Sequence, residues 1–286
     1  MYSDGVELSL TTTNIKTRDF SWSTNFIYSH PRNLVTDLEN QVRMIDLISG
    51  TGFTRKGYPV RSLFSLQFAG LNEEGLPTVI NEEGVRAVSD INFQESDEVK
   101  LKNLVYSGSV DPTDVGSFGN IFAWRGLKLN VFITYSFGNV IRLDPVFKST
   151  YDDLDSMPKE FKNRWTVPGD ELKTDVPVIA SYWQNRYYAT TSKYLSYAYN
   201  AYNYSTVRIA KGDFIRLKEV SLAYDFPRKI TEKLRLASLG LKLQATNLCL
   251  LYADDKLNGQ DPEFFNTGGV AVPLPRQFTF TLKVGF

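Results

Sequence analysis

The chain has 286 residues, and its 32 Lys and Arg balance 32 Asp and Glu for a formal net charge of zero. That balance excludes a bulk positive field drawing it to nucleic acid or an anionic membrane surface, and 42% hydrophobic against 22% charged residues excludes a disordered chain. One cysteine (Cys249) excludes an internal disulfide or a cysteine-based zinc site, and one histidine (His30) excludes every chemistry that needs two.

Taken in chain order, the elements share a period of two. Val6, Leu8 and Leu10 alternate with Glu7, Ser9 and Thr11, and a tight turn follows at Asn14–Thr17. Phe20, Trp22, Phe26 and Tyr28 then alternate with Ser21, Ser23 and Asn25. A long connection runs from Pro31 to about Tyr58, and Tyr58–Leu71 could hold strands of its own. Another runs from Leu71 to Phe118, where a strand Phe118–Trp124 is expected. After a tight turn at Arg125–Gly126, Leu127, Leu129, Val131, Ile133, Tyr135 and Phe137 alternate with Lys128, Asn130, Thr134 and Ser136. Asn139 to about Thr206 is a third long connection, with a weak helix candidate at Pro158–Trp165 and a Tyr-rich segment, Ser181–Tyr204; within it Tyr182–Tyr204, like Tyr58–Leu71, adds strands in pairs or not at all. Val220, Leu222, Tyr224 and Phe226 alternate with Glu219, Ser221 and Asp225, and Lys229–Ala237 could make a turn or two of helix after Pro227. Leu239, Leu241, Leu243 and Ala245 alternate with Lys242, Gln244 and Thr246, and a fourth long connection runs from Tyr252 to Pro273. The last strand, Arg276–Phe286, puts Phe278, Phe280, Leu282, Val284 and Phe286 on one face.

Side chains alternate across a strand, so each segment has one apolar and one polar face. Helical periodicity is nearly absent, and the chain reads as all-β. Connections longer than about 15 residues are uncommon in compact soluble domains. They are normal in outer-membrane barrels, where short periplasmic turns alternate with long extracellular loops and strands of about 9–11 residues run apolar-out, polar-in. Placing the tight turns on the periplasmic side brings the C-terminus to that side as well. The count is seven to eleven antiparallel up-and-down strands. No basic-then-apolar leader follows Met1, and no stretch approaches the roughly 20 apolar residues of a membrane helix.

Five blocks in order carry a resemblance. They are Asp19–Leu38 (DFSWSTNFIYSHPRNLVTDL), Gly57–Pro77 (GYPVRSLFSLQFAGLNEEGLP), Asn163–Pro177 (NRWTVPGDELKTDVP), Gly212–Pro227 (GDFIRLKEVSLAYDFP) and Ala245–Phe264 (ATNLCLLYADDKLNGQDPEF). With the aromatic-terminated last strand, they resemble the C-terminal part of the SusC/RagA family of TonB-dependent outer-membrane transporters of Bacteroidetes. The resemblance implies that residues 1–286 are one partial domain of a 22-stranded plugged barrel, without plug or signal peptide. It implies outer-membrane location and import of glycans or peptides with a SusD-like surface lipoprotein as lid. The TonB complex would act through the missing plug, and neither a cofactor nor nucleic acid is expected. Phe286 would be the terminal aromatic read during barrel assembly. The rival is a soluble β-sandwich carbohydrate-binding module, which would not need four long loops on one side only.

Other motifs have plainer readings. Taking Asp254 as the first position of a calcium loop puts Lys256 at the third and Phe265 at the twelfth, so a loop turn is expected and no metal site. Asp152, Asp153 and Asp155, like Glu82 and Glu83, could pair for glycoside hydrolysis but read as solvated loop charge. No Gly-x-Ser-x-Gly, phosphate-loop or dinucleotide pattern occurs, so no catalytic residue is assigned and enzymatic activity is not expected. In the Tyr-rich segment, Trp183, Tyr187 and Tyr188 are the substrate-binding candidates, because rigid amphipathic rings stack on sugar or protein. The alternative, an aromatic girdle or a loop packing on itself, stays open beside it.

Overall fold

Where the sequence alternates, it folds as strand. The structure, a computed structural model, describes residues 1–39, 41–191, 193–265 and 273–286. The chain opens with a hairpin of two 15-residue strands, β1 (Tyr2–Lys16) and β2 (Phe20–Leu34). A short helix α1 (Met44–Ile48) follows, then the short strands β3 (Ser62–Ser65), β4 (Phe68–Leu71), β5 (Pro77–Ile80), β6 (Arg86–Ala87) and β7 (Val105–Ser109). A second hairpin, β8 (Asp114–Trp124) and β9 (Leu127–Phe137), leads to β10 (Val140–Arg142). Helices α2 (Tyr182–Thr190) and α3 (Leu195–Asn203) come next, followed by β11 (Ile209–Lys211). The chain then forms β12 (Phe214–Asp225), α4 (Arg228–Lys233), β13 (Ser238–Tyr252) and β14 (Gln277–Gly285).

The long strands build one seven-stranded sheet in the order β1-β2-β8-β9-β12-β13-β14. Its pairs from β2–β8 to β13–β14 are all antiparallel. This is the expected meander, at the low end of the expected count. The long connections add nothing to it: their short strands form separate sheets β3-β7, β4-β5-β6 and β10-β11. β8 starts at Asp114 rather than at Phe118. The sequence hid these four residues because Gly116 interrupts the apolar alternation; in the fold, a Cβ there would collide with the Ile27 carbonyl and the Tyr135 hydroxyl.

The chain divides into two units. The first holds the sheet and comprises Ser3–Asn33, Pro112–Asn139 and Lys211–Phe286. The second comprises Met1–Tyr2, Leu34–Asp111 and Val140–Ala210, the two longest connections. It has two apolar cores of its own. In one, Met44, Leu47 and Ile48 of α1 pack with Phe64, Leu66, Val79 and Leu101. In the other, Leu195, Ala198, Tyr199 and Tyr202 of α3 pack with Leu76, Phe147 and Phe161. The Tyr-rich segment thus holds two helices, with no strand among its described residues. Positions 195, 198, 199 and 202 make a buried stripe at helical spacing, and Ser181 and Gln184 cap α2 reciprocally. The weak candidate at Pro158–Trp165 contains a 3₁₀ turn, Lys159–Asn163, and α4 occupies the site expected after Pro227.

Candidate functional site

Cross-strand register sorts the sheet's side chains into two faces. On one, Trp22 stands opposite Phe122, Phe122 opposite Leu129, Leu129 opposite Leu222, Leu222 opposite Leu243 and Leu243 opposite Phe280. On the other face, Ser23, Ile121, Asn130, Ser221, Gln244 and Thr279 form the next row. There Glu219 accepts from Asn130 Nδ2 at 3.2 Å and from Gln244 Nε2 at 3.1 Å. The apolar face lies open: Phe278 is 76% exposed, Phe280 65% and Leu243 55%. No second sheet covers it among the described residues of this unit, as a β-sandwich would require.

Aromatics bound that face at both ends. Toward the tight turns, Phe20, Trp124, Leu127 and Tyr224 are consecutive partners, and Phe226 packs edge-on to Tyr224 at 4.9 Å between ring centres. Toward the long connections, Tyr28 and Tyr135 flank Gly116, and Tyr135 stacks on Phe137 at 5.6 Å. The eight steps from Phe20 to Tyr28 span about 27 Å along the strand at about 3.4 Å each, or about 21 Å after a tilt near 40°. Polar side chains on this face bond one another: Trp22 Nε1 and Thr24 Oγ1 both donate to Asn120 Oδ1 at 2.8 Å, and toward the long connections Asp114 accepts from the Tyr28 hydroxyl at 2.6 Å and pairs with His30 Nδ1 at 2.8 Å. A paired bulge interrupts the register between Leu217 and Glu219, with Asn247 of β13 left-handed at φ +53°. Beyond it, Leu217 faces Ile133 and Cys249, which puts the cysteine on the apolar side.

Sequence blocks that look independent meet in pairs. Arg216 of the Arg-Leu-Lys block is buried on the polar side, its Nη2 donating to both Asp261 oxygens at 2.6 and 2.7 Å, with Glu263 Oε2 at 3.0 Å. The Asp-Pro-Glu passage thereby anchors the connection after β13. Its other end is held by Asp254, which accepts from the backbone N–H of Lys211 at 2.7 Å and of Lys256 at 2.9 Å. That carboxylate, first position of the supposed calcium loop, is engaged with backbone donors. Among the described residues no cluster of acidic, His or Cys side chains could hold a metal.

In the second unit, Trp165 of the Arg-Trp block lies on Gly75 of the Gly-Leu block. Gly75 has φ +74°, and a Cβ there would collide with the indole. Trp165 Nε1 donates to Glu171 at 2.9 Å, and Asp170 accepts from Thr166 and from the Val167 N–H. Those bonds, the Val167 amide foremost, hold the Asp170 carboxyl at about 2. Arg142, which carries no sequence signal, is buried and donates to the carbonyls of Phe64 and Ser205 and to Ser65 Oγ. Burial lowers its guanidinium to about 9. Asp155 answers Lys148 at 2.7 Å, Asp152 caps its own turn, and Glu83 pairs with Lys100.

Helix α2 carries the three aromatic candidates, and the rings of Tyr187 and Tyr188 meet edge-on at 5.5 Å. Trp183 and Tyr187 are 73% and 66% exposed, and Tyr182 stands beside Trp183 edge-on at 5.4 Å. Arg186 Nη1 donates to the Tyr182 hydroxyl at 3.0 Å, so one side of α2 offers three rings and a guanidinium. Tyr188 is half-buried and packs against the α3 core instead. Phe286 follows the last strand and is almost wholly exposed.

No family model matches the chain. It is 24% identical over 271 residues to TonB-dependent receptor P3 of Formosa agariphila, covering 91% of this chain and 25% of that protein. To TonB-dependent receptor P26 of the same organism it is 25% identical over 304 residues, covering 99% and 29%. Among solved structures, the RagAB peptide importer in its open-open state matches 99% of this chain and 28% of that chain, with TM-score 0.70 and 21% identity. The closed-closed state matches 99% and 29%, with TM-score 0.67 and 20% identity. The chain therefore spans about a quarter of the length of the relatives it matches. Its fold is that of a RagA-like barrel portion, and sequence and fold together are SusC/RagA-like.

Proposed function

We propose that this SusC/RagA-like chain is the C-terminal barrel portion of a TonB-dependent transporter in the outer membrane. The observation that carries the proposal is the two-faced seven-stranded sheet, apolar and exposed on one side, polar on the other, and bounded by aromatics at both ends. The apolar face meets lipid and the polar face lines the lumen, the arrangement of outer-membrane strands. Tight turns lie on the periplasmic side and long connections outside. The transporter imports glycans or peptides beneath a SusD-like lipoprotein lid, and a plug outside residues 1–286 couples it to the TonB complex. The similar structures of a peptide importer make peptides the first class to test. Trp183 and Tyr187 receive substrate or lid, Tyr188 supports them from beneath, and Phe286 serves barrel assembly.

The test is uptake of labelled peptides and oligosaccharides by cells carrying the intact receptor, with and without functional TonB. TonB-dependent uptake of one class, with a lipoprotein co-purifying, is the expected result. Uptake of neither class, or uptake that ignores TonB, would overturn the proposal.

A further inference from the structure

The chain is neutral overall but not at the tight-turn end of its sheet. Helix α4 and the turn after it carry Arg228, Lys229, Lys233 and Arg235, all exposed, against Glu232 alone. Among the described residues none of the four cations stands in an ion pair, whereas Arg125 of the neighbouring turn is paired with Asp19 at 3.1 Å.

The helix is two-sided. Thr231 is buried, while Ile230 and Leu234, four residues apart, are exposed at 39% and 54%. At 100° per residue, Lys229 and Lys233 lie together along one side of that aliphatic pair. Depth is set by the aromatic row. Tyr224 belongs to it, Phe226 packs on Tyr224, and α4 begins two residues later.

The helix ends in a Schellman motif: Leu236 N–H donates to the Thr231 carbonyl at 2.9 Å and Arg235 N–H to the Glu232 carbonyl at 3.1 Å. Arg235 occupies the left-handed position at φ +56°, where glycine is the usual residue. An arginine is held where the backbone alone favours none.

We propose that α4 and its C-terminal turn bind the headgroups of an anionic phospholipid through Arg228, Lys229, Lys233 and Arg235, with Ile230 and Leu234 resting among the acyl chains. The proposal rests on the reading of the sheet as membrane-spanning. A planar anionic interface fits aliphatic side chains beside unpaired cations whose stems can reach up to phosphate. A protein partner would instead need carboxylates placed one by one.

The experiment incorporates the intact receptor into nanodiscs of phosphatidylcholine with 30 mol% phosphatidylglycerol and measures the lipids retained by native mass spectrometry. The wild type is expected to retain phosphatidylglycerol in preference to phosphatidylcholine. At roughly fivefold per cation near an anionic surface, neutralising all four to Gln should lower that preference by at least about tenfold. The variant K229R/K233R should keep it. Arg235→Gly is the discriminating substitution: it should lower the preference by about threefold to fivefold while leaving thermal stability equal or higher. A wild type without preference, or an Arg235→Gly variant that retains it in full, overturns the proposal while leaving the spanning sheet intact. If the quadruple variant keeps its lipids but loosens a protein contact, the surface serves protein and the proposal fails. A receptor that enters no bilayer at all refutes the spanning reading, and this one with it.

Discussion

Replacing Asp261 by Ala tests whether the fold clasps the connection after β13 as its geometry indicates. Arg216 and Asp261 have side chains only 7% and 9% exposed, and two of the three carboxylate contacts to Arg216 come from Asp261. Removing one partner of a buried pair costs about 3–5 kcal/mol, because the remaining charge stays desolvated. Glu263, 3.0 Å away but 42% exposed, answers part of that charge and leaves about 2–4 kcal/mol as the expected loss. The loss falls on local opening, since the Gln260 and Phe264 amides are bonded within the same passage, to Leu257 and Asp261. Hydrogen exchange of the peptide spanning Asn258–Phe265 in the intact receptor should therefore accelerate by about thirtyfold to a thousandfold. A cycle with Arg216→Leu and Asp261→Leu should show strong coupling, the double variant exchanging more slowly than the sum of the singles requires. Acceleration below about threefold, or plain additivity in the cycle, would refute the clasp.

Gly75→Ala should destabilise the second unit by about 1–2 kcal/mol for its left-handed backbone and about 1–3 kcal/mol more for the push on Trp165; a thermal melt of the intact receptor checks this, and an unchanged midpoint contradicts the Gly75–Trp165 lock. Trp183→Ala with Tyr187→Ala should weaken substrate or lid binding by about fivefold to about a hundredfold without loss of heat stability, at about 0.5–1.5 kcal/mol per ring beyond area burial. Tyr188→Ala should do the opposite, lowering stability while sparing affinity per folded molecule; calorimetry and binding on the same preparations separate the two. Deleting Phe286 should lower the amount of receptor in the outer membrane far more than Phe278→Leu, and equal amounts by immunoblot would remove its assembly role.

The strand plan was legible because one face of every long strand has to be apolar, and alternation records that face directly. The strand ends nearest the long connections, where side chains meet one another, were less legible. Asp114–Ser117 has no apolar alternation, and its strand is completed by Tyr135 lying over Gly116. The two helices of the Tyr-rich segment did leave signals. Ser181 and Gln184 form a capping box, and Leu195, Ala198, Tyr199 and Tyr202 keep helical spacing. Tyrosine masked the stripe, since it counts as surface aromatic until its hydroxyl finds a partner, as that of Tyr199 does at the Val178 carbonyl. Of the three aromatic candidates, spacing alone could not separate Tyr188 from Tyr187. One residue along a helix turns a side chain by about 100°, enough to move it from solvent to core. Long-range pairs such as Arg216 with Asp261, and buried Arg142 with the carbonyls it bridges, carry no local signal.

The account's central claim is that the sheet has one lipid face and one lumen face. A nitroxide placed in turn at each position from Leu127 to Phe137 of the intact receptor, reconstituted in phospholipid vesicles, reads that claim directly through its collisions with oxygen and with a water-soluble nickel chelate. Oxygen should dominate at Leu129, Val131 and Ile133 and the chelate at Lys128, Asn130 and Thr134, with Cys249 behaving like Ile133. A flat profile, or the same alternation in the opposite phase, would contradict it.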